Sequence, residues 1–152
     1  MVVQVFSILL DCLVLVLKTF QTILNGDKIG IFGDYDVDGA TSTALLGNYL
    51  SELNLNYEIY IPDRKKEGYG PSIKSFKELI NKGVKLIFTV DCGTLSFEAI
   101  NFAKENNIDV IVLDHHQSEV KLPEAFSIIN PNRFDDNSDL KYLCAAGVTF
   151  IF

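Results

Sequence analysis

The chain is poor in basic residues and cysteine, and it has no apolar run long enough to cross a membrane. Its 13 Lys and Arg face 20 Asp and Glu, a formal charge of −7 over 152 residues, which argues against a broad basic surface for nucleic acid. An enzyme acting on nucleic acid is still compatible with that charge. Acids gathered in a site inflate the negative count, and bound cations offset them. Cys12, Cys92 and Cys144 are isolated, odd in number and without CxxC spacing. No disulfide framework is expected, and a reducing, cytoplasmic setting is. The apolar stretch at residues 2–17 is shorter than the roughly 18 residues a membrane helix needs. It has no basic segment before it and no small-residue cleavage pattern after it. Asp11 near its centre would cost about 2.5–3.5 kcal/mol on insertion.

What that stretch does contain is helical periodicity. Asp11, Lys18, Thr22 and Asn25 form one polar stripe, with Leu10, Leu13, Val14, Leu17, Phe20 and Leu24 on the opposite side. The spacing predicts a packing helix within residues 1–27, ending at the Asn25-Gly26 pair. With 48% apolar and 22% charged residues, the remainder reads as folded rather than disordered. Apolar runs at 28–33, 57–61, 85–90 and 109–113 alternate with helical patterns near 39–53, 72–82 and 96–106. Ser96 or Thr94 is the expected cap of the last of these helices. A weaker strand is expected at 126–129, and another apolar helix or strand over 143–152. Short connections between alternating strands and helices predict an α/β fold: a parallel sheet with helices on both faces. Gly147–Phe152 carries no cap, charge or polar tail, so the domain at 28–152 is expected to be incomplete.

Four of the apolar runs lead into an aspartate: IGIFGD at 29–34, YEIYIPD at 57–63, KLIFTVD at 85–91 and VIVLD at 110–114. In a parallel sheet all four lie at the carboxyl edge, where open α/β sheets place their ligands. Asp34, Asp36 and Asp38 crowd the first of these turns, and alternation points Asp34 and Asp36 the same way. The helix expected from Gly39 would aim its N-terminal N–H groups at the same place, favouring an anion such as phosphate. Two carboxylates about 4 Å apart repel by roughly 4 kcal/mol at an effective dielectric near 20. Such a cluster needs cations or must be partly protonated. Asp114 is followed by His115 and His116, and hard oxygen ligands with imidazole suit Mn²⁺ or Mg²⁺ better than thiolate-preferring metals. A carboxylate between two ions can bridge them for in-line attack on phosphorus. Alone, Arg64-Lys65-Lys66 is a solvated charge run. Beside the Gly68-Tyr69-Gly70 loop at the same sheet edge, Arg64 becomes a candidate for holding phosphate. Asp63 reads as a turn or helix cap.

At these residues the chain resembles the DHH phosphoesterases, in the segments IGIFGDYDVDGATSTALL at 29–46, YIPDRKKEGYGPS at 60–72, LIFTVDCGT at 86–94 and VIVLDHHQ at 110–117. INPNR at 129–133 and LCAAGVTF at 143–150 continue the likeness. Within that family it is most similar to the branch of single-strand-specific 5′→3′ DNA exonucleases. The resemblance implies Asp34 and Asp36 as metal ligands, one for each of two Mn²⁺ or Mg²⁺ ions, with Asp91 bridging and His115 a further ligand. His116 would contact the scissile phosphate, and Asp114 would orient its neighbours. Arg64, Gly68 and Gly70 would serve substrate binding. Asp38 matches a family-typical acid with no clear role.

The implied chemistry is phosphodiester hydrolysis of single-stranded DNA by a metal-activated water. Short oligonucleotides, cyclic dinucleotides or pyrophosphate are the alternative substrates. The family's later aspartate motif has no counterpart before Phe152, and neither does its second, glycine-rich domain or the oligonucleotide-binding domain. Loss of one ligand predicts residual metal binding rather than efficient turnover. It also raises two other readings: a non-catalytic remnant, and half of a split enzyme completed by a second polypeptide.

Overall fold

The computed structural model describes residues 15–152. Leu10, Asp11, Cys12, Leu13 and Val14 lie outside the described residues. Five strands, β1 (Lys28–Gly33), β2 (Tyr57–Tyr60), β3 (Val84–Val90), β4 (Asp109–Leu113) and β5 (Ser127–Ile129), form one sheet in the order β2-β1-β3-β4-β5. Every pairing is parallel. The helices are α1 (residues 15–24), α2 (Val37–Glu52), α3 (Ile73–Asn81), α4 (Phe97–Glu105) and α5 (Ala145–Ile151). The alternation of strands and helices is that expected from the apolar periodicity.

Side-chain alternation sends successive residues of each strand to opposite faces. Ile29, Ile31, Leu86, Phe88, Val90, Ile111 and Leu113 pack with Leu46 and Leu50 of α2, Leu15 of α1 and Val148 of α5. Phe32, Ile87, Val110 and Val112 pack with Phe76 and Leu79 of α3 and with Ala99, Ile100 and Ala103 of α4. Both faces are therefore covered, as near-continuous apolar strands require. In this strand order the winding reverses between β1 and β3, and that is where the crevice opens at the carboxyl edge.

Helix α1 presents a different face from the one its polar stripe suggests. Leu15 is fully buried and Thr22 is 5% exposed, whereas Leu17, Phe20 and Leu24 are more than half exposed. Two bonds, one local and one to β4, make the inward polar residues tolerable. The Thr22 hydroxyl donates to the Lys18 carbonyl at 3.0 Å, and the Lys18 ammonium pairs with Asp109 at the start of β4. Among the described residues no helix is long and apolar enough to cross a membrane.

Candidate metal centre

The sheet register assembles the site. Gly33 of β1 pairs with Val90 of β3, and Val90 pairs with Leu113 of β4. The next residue on each strand is Asp34, Asp91 or Asp114, so three acids stand in one row on strands about 4.8 Å apart. All three are nearly fully buried. The fourth acid, Asp63, is not in the row. Strand β2 ends at Tyr60, and Asp63 is exposed in the turn that follows. Its carboxylate accepts from Lys65 N at 2.9 Å, the capping role read from the sequence.

Helix α2 begins two residues earlier than expected, with Asp36 as its N-cap and Gly39 N donating to Asp36 Oδ1 at 2.9 Å. The N-terminus that was to face an anion is thus partly satisfied by the acid itself. That bond holds the Asp36 carboxyl below the usual range. Ligand atoms of Asp34, Asp36 and Asp91 lie within 4.8 Å of one another, and so do those of Asp91, His115 and His116. Asp91 belongs to both groups. It has a φ of 61°, a left-handed conformation that costs an L residue about 1–2 kcal/mol and occurs where surrounding structure over-determines it.

Asp114 behaves differently from its neighbours. Burial alone would raise its pKa, but hydrogen bonds from His116 and Thr94 outweigh it and hold the carboxyl at about 2. Its Oδ1 lies 2.8 Å from His116 Nδ1 and accepts from His115 N at 2.7 Å, while Oδ2 accepts from Thr94 N at 3.1 Å. The Asp114 partner raises the pKa of His116. With Nδ1 held by Asp114, the other ring nitrogen of His116, Nε2, lies 3.5 Å from the Tyr69 hydroxyl. His115 points inward, its Nε2 3.3 Å from Asp91 Oδ1.

Three residues that hold this arrangement lie in segments singled out in the sequence but carry no role there. Asn130 is 2% exposed, and its amide donates to Thr94 Oγ1 at 2.9 Å and to the His116 carbonyl at 2.8 Å. Asn132 donates to the His115 carbonyl at 2.5 Å. Tyr69 donates to the Asp91 carbonyl at 3.1 Å and approaches His116 Nδ1 at 3.3 Å. Burial pushes the Tyr69 phenol well up, so it stays a neutral donor. Thr94, expected to cap α4, is thus committed to Asp114 and Asn130. Ser96 is the cap by position but makes no side-chain capping bond. Asn130→Ala leaves the Thr94 hydroxyl and the His116 carbonyl without a buried partner. A loss of about 1–3 kcal/mol in urea unfolding is the expected result.

Of the residues proposed for substrate, Gly68 and Gly70 have φ values of 79° and 78° and bracket Tyr69, turning its ring into the site. Arg64 is exposed and lies over the Tyr35 ring, 5.3 Å from its centroid. It stands outside the acid row, although its charge reaches Asp34.

Unsatisfied atoms in the donor set leave room for a cation. Asp34 Oδ1 and both oxygens of Asp91 are buried with no hydrogen-bond donor. As anions, Asp91 and Asp36 are both acceptors. Burial, followed by the proton that Asp91 would share with Asp36, pushes the Asp91 carboxyl up to about 8. Burial also raises Asp34. Orphaned carboxylate oxygens beside imidazole nitrogens fit a hard divalent ion.

The chain matches the DHH family, N-terminal domain, over residues 28–152, and it belongs to that family. It is 41% identical over 130 residues to the single-stranded-DNA-specific exonuclease RecJ of Bacillus subtilis, an alignment covering 86% of this chain and 16% of that protein. With RecJ of Haemophilus influenzae it shares 45% identity over 124 residues, 81% of this chain and 22% of the relative. A crystal structure of exonuclease RecJ bound to manganese superposes with a TM-score of 0.74 at 34% identity, covering 84% of this chain and 32% of the other. The chain thus spans less than a quarter of the length of these two curated relatives.

Proposed function

We propose that this chain carries a metal-binding part of a RecJ-like, single-strand-specific DNA exonuclease. The observation that supports it most is the set of three buried, partnerless carboxylate oxygens on Asp34 and Asp91, next to His115 and His116 in a chain similar to a manganese-bound exonuclease. Asp34, Asp36, Asp91 and His115 would hold Mn²⁺ or Mg²⁺, with Asp91 shared between two ions. When bound, such ions supply a nucleophilic hydroxide near neutral pH and neutralise charge on the phosphate.

The protein's own groups do the rest. Asp114 fixes the imidazole of His116 and, by raising its pKa, favours the imidazolium, whose Nε2–H can donate to a phosphate oxygen. Tyr69 holds the backbone of Asp91 by donating to its carbonyl. Arg64, stacked on Tyr35, stands where an approaching phosphate would find a fork of N–H donors.

Release of 5′-mononucleotides from single-stranded DNA in the presence of Mn²⁺, compared with an Asp91→Ala control, tests the reading. Activity above the control is expected to be weak and to vanish with EDTA. Equal rates for both proteins would overturn the claim that the chain is itself an enzyme. Faster hydrolysis of a dinucleotide than of a long strand would move its substrate to short oligonucleotides.

A further inference from the structure

We infer that Asp38 is a positioning residue of the metal centre, tying the start of α5 to the first turn of α2 and setting where His115 stands beside Asp91. Asp38 looks like a third ligand in its turn, but its oxygens are engaged. Oδ2 accepts from Ala145 N at 2.7 Å and Oδ1 from Ala146 N at 2.9 Å, across 107 and 108 residues of chain. Asp34 and Asp91 instead have buried oxygens without any donor.

Helix α5 lacks a cap of its own, since its N-cap residue, Cys144, makes no side-chain capping bond. Asp38 supplies from a distance what an N-cap normally supplies locally. The same Oδ2 lies 3.5 Å from His115 Nε2, the nitrogen that faces Asp91 Oδ1 at 3.3 Å. Asp38 is therefore a fixed negative wall on one side of His115, and its place is set by a helix that packs Val148 and Phe152 against the sheet. Asp38 meets the same nitrogen that faces Asp91, so it acts by placing the ring rather than by holding the other ring nitrogen; outer partners of a metal ligand typically change metal affinity 10–100-fold when removed.

This inference rests on the metal-centre reading, so its test includes a measurement made without metal. On the full chain, Asp38→Asn is expected to speed hydrogen exchange at the Ala145 and Ala146 amides. It should shift the His115 ring nitrogen signals in the metal-free protein and weaken Mn²⁺ binding about tenfold by calorimetry. Ala145→Pro removes one donor yet suits the first helical position. It should move the His115 signals the same way, with a smaller loss of affinity, and it decides the matter if Asp38→Asn does not fold.

Two results would overturn the inference. Unchanged His115 signals and Mn²⁺ affinity would make Asp38 a helix cap alone. Loss of binding equal to that of Asp34→Asn, with Ala145 and Ala146 still protected, would make it a direct ligand. If the unsubstituted chain bound no Mn²⁺, the metal-centre reading would fail by itself, and the metal-free His115 signals would still decide the role of Asp38.

Discussion

Asp91→Asn is expected to make the metal-free protein more stable than the native chain at pH 8, while abolishing its stabilisation by Mn²⁺. The carboxyl of Asp91 has its pKa raised to about 8 in the fold, chiefly by burial, against an ordinary value near 3.9. Between those values the native state holds a proton that the unfolded chain has released. Stability therefore falls as pH rises from about 4 to about 8. His116, raised by Asp114, works in the same direction, because its contribution is lost as pH climbs through its folded value. Asp114 has the opposite sign: held at about 2, it adds stability that is lost only as pH falls below about 4. Asparagine removes the Asp91 charge and tolerates the positive φ at this position. The gain at pH 8 should be on the order of a few kcal/mol, read as a higher midpoint in urea. A midpoint below that of the native chain at pH 8, or unchanged stabilisation by Mn²⁺, would remove Asp91 from the centre of the site.

Gly39→Ala should damage the site through the backbone itself. A Cβ at Gly39 would lie 2.7 Å from the Asp34 carbonyl oxygen and 2.8 Å from its carbonyl carbon. Backbone cannot rotate away as a side chain can, so the start of α2 must lift from β1 and carry Asp36 with it. Overpacking of this kind costs about 1–3 kcal/mol, or roughly 3–10 °C in Tm for a domain of this size. The affinity for Mn²⁺ should fall as well, because Asp36 leaves Asp34 and Asp91. Gly47→Ala is the control in the same helix. Its nearest neighbour would be the flexible end of Ile59 at 3.4 Å, and alanine gains about 1 kcal/mol in helix propensity. Gly47→Ala should be neutral or stabilising, and equal damage from both would refute the close-approach argument.

The acids Asp34, Asp91 and Asp114 were legible because each follows its strand directly, so an apolar run and its terminal acid are read together. Asp63 was grouped with them for the same reason, but β2 stops at Tyr60 and its acid falls in a turn. Local periodicity could place the strands but not say which would be neighbours. Nor could it reveal bonds between distant segments. Asn130 reaches Thr94 across 36 residues and Tyr69 reaches Asp91 across 22; their segments resemble family motifs, but local periodicity in neither names the distant partner. The reversed face of α1 has a related cause. Polarity marks a side chain as outward only if it has no partner inside, and Thr22 and Lys18 both have one.

The strand order also governs when the site comes into being. Strand β2 follows β1 in the chain, yet β1 must pair with β3 on its other side before Asp34 and Asp91 meet. No local hairpin or single helix of the described chain can assemble that row. Pairing across an intervening strand is a long-range step in folding, slow because loop closure precedes any contact that rewards it. An ion that binds only the completed row acts after that step. It should slow unfolding and leave the first collapse of the chain at its own rate.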